Sequence, residues 1–156
     1  MSKKLIVTFF SMCLFSASPL AAQRSASDFV GTWELASIEA RTESGEWEAA
    51  ALPMTGMPVG IIMYDDSGNM AVQITSSPRG TESPPEVPEI VNGYIAYYAR
   101  YAVDAEAGTV THHRRNHVNP ELGSLSVVRY FSFSDDVLTL TLAPDRELRL
   151  NWVRVR

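Results

Sequence analysis

The chain contains very little cysteine and lysine, and both absences limit its chemistry. Its single cysteine is Cys13, and its only lysines are Lys3 and Lys4. All three residues lie before position 23. The rest of the chain can therefore form no disulfide, thiolate metal site or cysteine nucleophile. It also lacks the amine that a Schiff base or a Walker-type phosphate loop requires.

The first 22 residues have the pattern of a secretory signal peptide. A short basic start is followed by the apolar run "LIVTFFSMCLFSASPL", which has no acidic residue, and then by "AAQ". We expect cleavage after Ala22, which leaves a domain of residues 23–156. The apolar run is short for a membrane span, which needs about 20 residues. The pattern predicts a periplasmic or secreted protein with no stable membrane insertion after cleavage.

The predicted mature chain is acidic and long enough for one domain with a hydrophobic core. Its 11 arginines against 18 acidic residues give it a net charge of −7. Such a surface repels a phosphate backbone, so we expect no nucleic-acid partner.

Most of the mature chain has the alternation that is typical of β-strands. In "VGIIMYDDSGNMAVQITS" two β-rich arms flank a turn, and Met70, Val72 and Ile74 share one face. In the first strand Trp33 and Ser37 are expected on one face and Ile38 on the other. The whole pattern predicts about nine strands in meander order. It favours an all-β fold with one short helix, an antiparallel up-and-down barrel, over a two-sheet sandwich.

One segment changes its period and predicts the helix. After the proline-rich stretch 78–88, apolar side chains recur at helical spacing. Gly93 would interrupt this helix at a cost of about 1 kcal/mol relative to alanine. We expect the helix to pack on the barrel, for example as a lid over one mouth. The stripe consists of Val87, Ile90, Val91, Tyr94, Ile95 and Tyr98.

Several stretches together resemble the lipocalin-like domain family, a group of small bacterial and fungal proteins related in fold to lipocalins. They are "GTWELASIEA", "PVGIIMYDDSGNMAVQ", "GYIAYYARYAVD", "TVTHH" and "ELRLNWVR", and they span nearly all of the mature chain in order. The resemblance implies a β-barrel with a central cavity. It implies little about chemistry, because most members have no assigned activity.

The resemblance extends to a Gly-x-Trp tripeptide that lipocalins carry in their first strand, here Gly31 to Trp33. In lipocalins this indole closes one end of the barrel beneath an arginine of the last strand. The resemblance implies Arg154 as that arginine, with Arg156 as the alternative. A cation–π contact of this kind is worth about 0.5–2 kcal/mol. We expect a structural role at the barrel floor rather than ligand binding.

All three histidines lie in "THHRRNH", residues 111–117. As a strand, this segment would direct His112 and Arg114 inward, together with Val110. His113 and His117 would share the outer face about 13 Å apart, too far to chelate one ion. We therefore predict no metal site, and nothing in the sequence indicates a cofactor.

The next strand suggests a partner for His112. A hairpin that turns symmetrically about "VNPELG" pairs His112 with Arg129 and Val110 with Phe131. A buried arginine requires an anion or several acceptors. We therefore hypothesise that Arg129 and His112 receive the carboxylate or other polar head of a mostly apolar ligand. The alternative is that Arg129 pairs with an internal acid or reaches the barrel mouth. The candidate ligand-binding residues are His112, Arg129, Tyr97, Tyr101, Tyr64 and Phe131.

Three functions remain open from the sequence. The first is binding of a small apolar or amphipathic molecule in the barrel cavity. The second is an enzyme, an isomerase, cyclase or hydrolase for a hydrophobic substrate, with His112 as the acid–base residue and a tyrosine assisting. No Gly-x-Ser-x-Gly elbow supports a serine hydrolase. The third is an exported structural domain with a filled barrel.

Overall fold

The computed structural model describes residues 24–143, 145 and 147–156. The predicted signal peptide lies outside the described residues. Within these residues, nine strands, one short α-helix and one 3-10 turn follow one another. Their bounds are α1 Ala26–Phe29, β1 Gly31–Arg41, β2 Trp47–Ala49, β3 Met57–Tyr64, β4 Asn69–Ser77, β5 Tyr94–Asp104, β6 Thr109–His117, the 3-10 turn Pro120–Leu122, β7 Ser126–Ser134, β8 Val137–Leu142 and β9 Leu148–Arg154. Among the described residues, no helix has the length and apolar character to span a membrane.

The strands close into an antiparallel barrel. From β3 to β9 each strand pairs with the next, and β1 pairs with both β3 and β9. This ring contains eight strands, while the short β2 adds to the free edge of β1 beyond β3. Closure leaves few unpaired backbone groups at strand edges. The predicted up-and-down barrel is confirmed, and the pairing of β1 with β9 excludes the two-sheet sandwich.

A β-bulge in β1 corrects the predicted alternation of that strand. Leu35 pairs with Trp152 and Ser37 with Asn151, so Ala36 is the extra residue. A bulge reverses the facing of the residues that follow it. Ser37 therefore points outward, where its hydroxyl accepts a hydrogen bond from Asn151. Ile38 points inward and is buried.

The prediction of a helix across residues 87–98 is wrong. Turns continue to Gly93, and from Tyr94 the chain forms β5. Three prolines precede or enter the segment, and a proline lacks the N–H that a helix interior needs. Asn92 and Gly93 then adopt left-handed φ angles of 51° and 64°, which end any helical path. The α-helix of this fold is instead α1, where Ser25 N donates to Asp28 at 2.7 Å in a capping box.

An aromatic cluster fills the end of the barrel nearest α1. The ring of Phe29, which is completely buried, contacts four neighbouring rings at centroid distances between 5.0 and 6.2 Å. Most of these pairs have the edge-to-face geometry that aromatic rings prefer. This end of the barrel is therefore solid. The cluster consists of Phe29, Tyr64, Tyr101, Phe131 and Phe133.

Two connecting segments, residues 50–56 and 78–93, cover the opposite end and are called the lid here. Glu82 joins the two segments, because its carboxylate accepts from Thr55 N at 3.1 Å. Its carbonyl accepts from Gly93 N at 2.6 Å and so also holds the second segment together. Ile90 is 1% exposed and belongs to the hydrophobic core. The lid is thus part of the packed structure, although it contains no helix.

Candidate ligand-binding cavity

A cavity of about 210 Å³ lies between the lid and the interior of the barrel. Strand residues line most of it, and Leu52, Val87 and Glu89 of the lid complete it. Most of the lining is aliphatic, from Ile62, Val72, Ile74, Ile95, Leu140, Leu142, Leu148 and Leu150, with Trp152 beside them. Its polar groups come from Tyr97, His112, Arg114, Arg129 and Glu89.

Both ring nitrogens of His112 are hydrogen-bonded to tyrosines. Nδ1 lies 2.9 Å from the Tyr97 hydroxyl, and Nε2 lies 3.0 Å from the Tyr64 hydroxyl. A neutral imidazole has one donor and one acceptor. One hydroxyl therefore accepts the ring N–H, and the other donates to the bare nitrogen. The two tyrosines hold the ring in place and leave neither nitrogen free for a ligand.

His112 is uncharged at any physiological pH. Burial, followed by the positive charges of Arg129 and Arg114, lowers its pKa from 6.5 to about 3. Burial also raises the pKa of both Tyr64 and Tyr97. An efficient acid–base catalyst has a pKa near the operating pH. This geometry therefore favours a structural role for His112 over the acid–base role considered from the sequence.

The β6–β7 hairpin is shifted by two residues from the symmetric register expected from the sequence. Val110 pairs with Arg129, and His112 pairs with Val127. The connection is asymmetric because Leu125 N donates to Leu122 O at 3.3 Å after the 3-10 turn. A shift of two keeps each side chain on its face. Arg129 thus still lines the cavity, half-buried, and donates to the neighbouring Val128 carbonyl at 2.9 Å.

A bulge in β6 overturns the predicted placement of His117. Tyr98 pairs with Asn116 and Ala99 with Arg114, so Arg115 is the extra residue. His117 consequently turns inward, is 6% exposed and stacks on Tyr97 at a centroid distance of 5.8 Å. His113 remains exposed. Within the described ranges, no group of three or more His, Cys, Asp or Glu side chains is arranged to hold a metal ion.

Arg114 is the functional candidate that the sequence analysis placed inside the barrel without giving it a role. Its side chain is 1% exposed, and its guanidinium lies 4.6 Å from the centroid of the Tyr97 ring. The closest anion is Glu89, at 3.9 Å from Nη2, beyond hydrogen-bond distance. Nε and Nη1 are buried with no partner in the part of the chain that the structure describes. Burial lowers the pKa of Arg114, as expected for an under-compensated cation.

Three of the six candidate ligand-binding residues do not line the cavity. Tyr64, Tyr101 and Phe131 lie in the aromatic cluster beneath it. The Tyr101 hydroxyl donates to Asp65 O at 2.9 Å and so belongs to the closed end. His112, Arg129 and Tyr97 do line the cavity. Tyr97 and Tyr101 both belong to β5, because the helix–strand junction expected between them does not exist.

Glu89 and Trp152 also line the cavity, although the sequence pattern did not indicate either residue. Glu89 was hidden because its segment was interpreted as a helix. Trp152 is 1% exposed on the inner face of β9, and its indole N–H has no partner within the described part. The only available signal was the alternation of Leu148, Leu150 and Trp152 in the last strand.

The residues expected at the barrel floor lie together at the α1 end. Arg154 Cζ is 3.9 Å from the centroid of the Trp33 ring, and the Trp33 indole donates to Phe29 O at 2.9 Å. Arg154 also donates to Val30 O and Asp28 O, both at 2.7 Å. A Cβ on Gly31 would lie 2.6 Å from Arg154 Nη1. Glycine therefore allows this guanidinium to lie close to the backbone.

The outer surface carries a larger depression of about 610 Å³, which opens to solvent. Its charged residues, Asp65, Asp66 and Arg115, are exposed and therefore solvated. The interior cavity is less open than this depression and contains the buried, under-compensated charge of Arg114, so we take it as the candidate site.

A closed antiparallel barrel with an apolar interior cavity defines the lipocalin-like class of folds. Residues 30–151 match the family model described as the lipocalin-like domain, so the chain belongs to that family. This confirms the resemblance seen in the sequence, and at the level of the family it suggests hydrophobic ligand binding. Comparison with curated proteins and with solved structures gave no match.

Proposed function

We propose that this protein binds a small, mainly apolar molecule in the cavity beneath the lid. The observation that carries the proposal is a partly enclosed space of about 210 Å³ with aliphatic walls and a few polar groups. A water occupies about 30 Å³ in the liquid, so the space suits a ligand on the order of ten non-hydrogen atoms.

The two other functions have less support from the geometry. An enzyme built on His112 would need that ring free to exchange protons, but both nitrogens are engaged. A purely structural domain would be expected to fill its interior to the density of a normal core, with few voids larger than a water. The cavity holds several times that volume.

Octanamide, a neutral probe of the proposed size, allows a direct test by isothermal titration calorimetry. Leu142→Trp adds bulk to the half-buried rim of the cavity and should abolish binding. Leu125→Trp makes the same change at an exposed position outside the cavity and should bind as the wild type does. The proposal is wrong if the wild type binds neither octanamide nor the matching acid anion, octanoate, or if folded Leu142→Trp binds octanamide as well as the wild type.

We further propose that the protein is exported and acts as a periplasmic or secreted binding protein. This step rests on the signal-peptide pattern of the first 22 residues alone. N-terminal sequencing of the protein purified from its native cells tests this step. A mature N-terminus at Gln23 in the extracytoplasmic fraction is expected, and an intact Met1 in the cytoplasmic fraction would contradict it.

A further inference from the structure

We propose that the cavity selects a small monocarboxylate, whose head is bound by the buried guanidinium of Arg114 while its apolar body fills the aliphatic part. This inference rests on the proposed function and adds the class of ligand. It differs from the sequence hypothesis, in which Arg129 and His112 receive the head.

The first support is the unmet hydrogen bonding of Arg114. A fully buried guanidinium normally finds acceptors for its five N–H groups, because an unpartnered buried donor costs free energy. Among the described residues, Nε and Nη1 have no partner. The remaining interactions of the guanidinium are with the Tyr97 hydroxyl and with Glu89, which lies 3.9 Å from Nη2. A planar carboxylate would satisfy two of these N–H groups in the bidentate geometry that the guanidinium fork favours.

The second support is the charge balance of the cavity wall. Arg114 and Arg129 are cationic, Glu89 is anionic, and His112 and Tyr97 are neutral, which leaves a formal charge of +1. A monoanion brings this enclosed site to neutrality, whereas a phosphate dianion would leave it negative. The positive interior contrasts with the whole chain, whose net charge is −5.

Further donors are available on the same wall. The indole N–H of Trp152 is buried without a partner among the described residues, and Arg129 makes one hydrogen bond, to a carbonyl beside it. The wall therefore offers an excess of donors over acceptors. Such a wall suits a ligand head that accepts hydrogen bonds and donates none, as a carboxylate does.

Glu89 is the internal competitor of the ligand. It belongs to the lid, its side chain is 38% exposed, and it faces Arg114 from the cavity mouth. An entering carboxylate would take its place next to the guanidinium, while Glu89 can turn to solvent. Ligand entry therefore replaces the Glu89 carboxylate next to Arg114 with the carboxylate of the ligand.

The test compares octanoate with octanamide, which have the same shape and number of non-hydrogen atoms and differ in charge. Isothermal titration at pH 7 should show that the wild type prefers octanoate by at least about ten-fold. Folded Arg114→Met should lose this preference and bind octanoate no better than octanamide. Arg115→Met removes the same charge from the exposed neighbouring residue and should behave as the wild type.

The Glu89→Gln variant makes the test independent of the folding of Arg114→Met. Removing the competing charge should raise octanoate affinity several-fold and so widen the preference for octanoate over octanamide. Equal binding of both probes by the wild type, or an unchanged preference in Arg114→Met, would overturn the carboxylate inference and leave the proposed function standing. Binding of neither probe would overturn both.

Discussion

The Tyr64 hydroxyl lies 3.0 Å from Nε2 of His112, at the boundary between the aromatic cluster and the cavity. Tyr64 packs against Phe29 and Tyr101 below, while His112 reaches Tyr97 in the cavity wall above. The hydrogen bond therefore joins the solid end of the barrel to its hollow end. Tyr64 and His112 are buried, Tyr97 is half-buried, and all three are neutral, so the connection depends on complete hydrogen bonding rather than on charge.

Removing the Tyr64 hydroxyl should destabilise the fold. Tyr64→Phe leaves His112 Nε2 buried without a partner, which costs about 1–3 kcal/mol. The control is Tyr94→Phe, because the Tyr94 hydroxyl donates to Gln73 at the surface. Its loss should cost less than about 0.5 kcal/mol. Urea unfolding measures both, and equal effects would show that the buried bond adds no stability.

His112 should make the protein sensitive to mild acid. The unfolded chain binds a proton at this ring near pH 6.5, but the folded chain does not until about pH 3. Acidification between these values therefore favours unfolding, and stability falls as the pH drops below 6.5. The contribution should approach about 1.4 kcal/mol per pH unit, or about 2 kcal/mol between pH 7 and 5.

The measurement is the free energy of unfolding of wild type and His112→Gln across that pH range. The variant should lose this part of the pH dependence, whereas the control His113→Gln, at the exposed neighbour, should keep it. Parallel curves for wild type and His112→Gln would mean that the ring is readily protonated in the folded state.

The contact between Arg154 and Trp33 at the barrel floor should contribute more to stability than an arginine at the surface. Arg154→Met removes the cation–π contact with Trp33 and leaves the carbonyls of Val30 and Asp28 without their donor. We expect a loss of about 2–3 kcal/mol. Arg156→Met breaks an exposed pair with Asp136, which solvent screens, so it should change stability far less. Thermal and urea unfolding should rank them in this order, and equal losses would contradict the assigned role.

Comparing two glycines with the same backbone conformation separates the cost of a left-handed φ angle from the cost of crowding at Gly93 in the lid. Gly93 and Gly108 have φ angles of 64° and 65°, which cost an alanine about 1–2 kcal/mol. A Cβ at Gly108 meets nothing within 4 Å, whereas one at Gly93 would lie 2.5 Å from Gly80 O. Gly93→Ala should therefore destabilise more than Gly108→Ala and speed amide exchange in residues 78–93. Equal effects on stability, with lid exchange unchanged, would show that this close approach is not required.

The barrel and its meander order could be predicted because the alternation of apolar and polar residues is visible within each short stretch of sequence. Each strand has its own pattern, such as Met70, Val72 and Ile74 in β4, and short connections leave few topologies. The helical spacing of residues 87–98 misled because Pro88 and two left-handed residues, Asn92 and Gly93, interrupt the segment. Apolar spacing alone does not report such backbone conformations.

The details of the site depended on irregularities that alternation cannot reveal. The bulge at Arg115 turned His117 inward, and the asymmetric 3-10 connection shifted the partner of His112 from Arg129 to Val127. Arg114 was placed on the inner face by the pattern, but its lack of acceptors is a tertiary property. Whether a buried cation is satisfied depends on Glu89, which is distant in sequence and belongs to the lid.

A ligand in the hollow end of the barrel should be visible at the indole N–H groups. Trp152 lines the cavity, whereas Trp47 lies under Arg149 and does not line it. In 1H–15N spectra, saturating octanoate should shift the Trp152 indole resonance and leave that of Trp47 unchanged. An unshifted Trp152 resonance with octanoate bound, or a shift confined to Trp47, would contradict binding in the cavity.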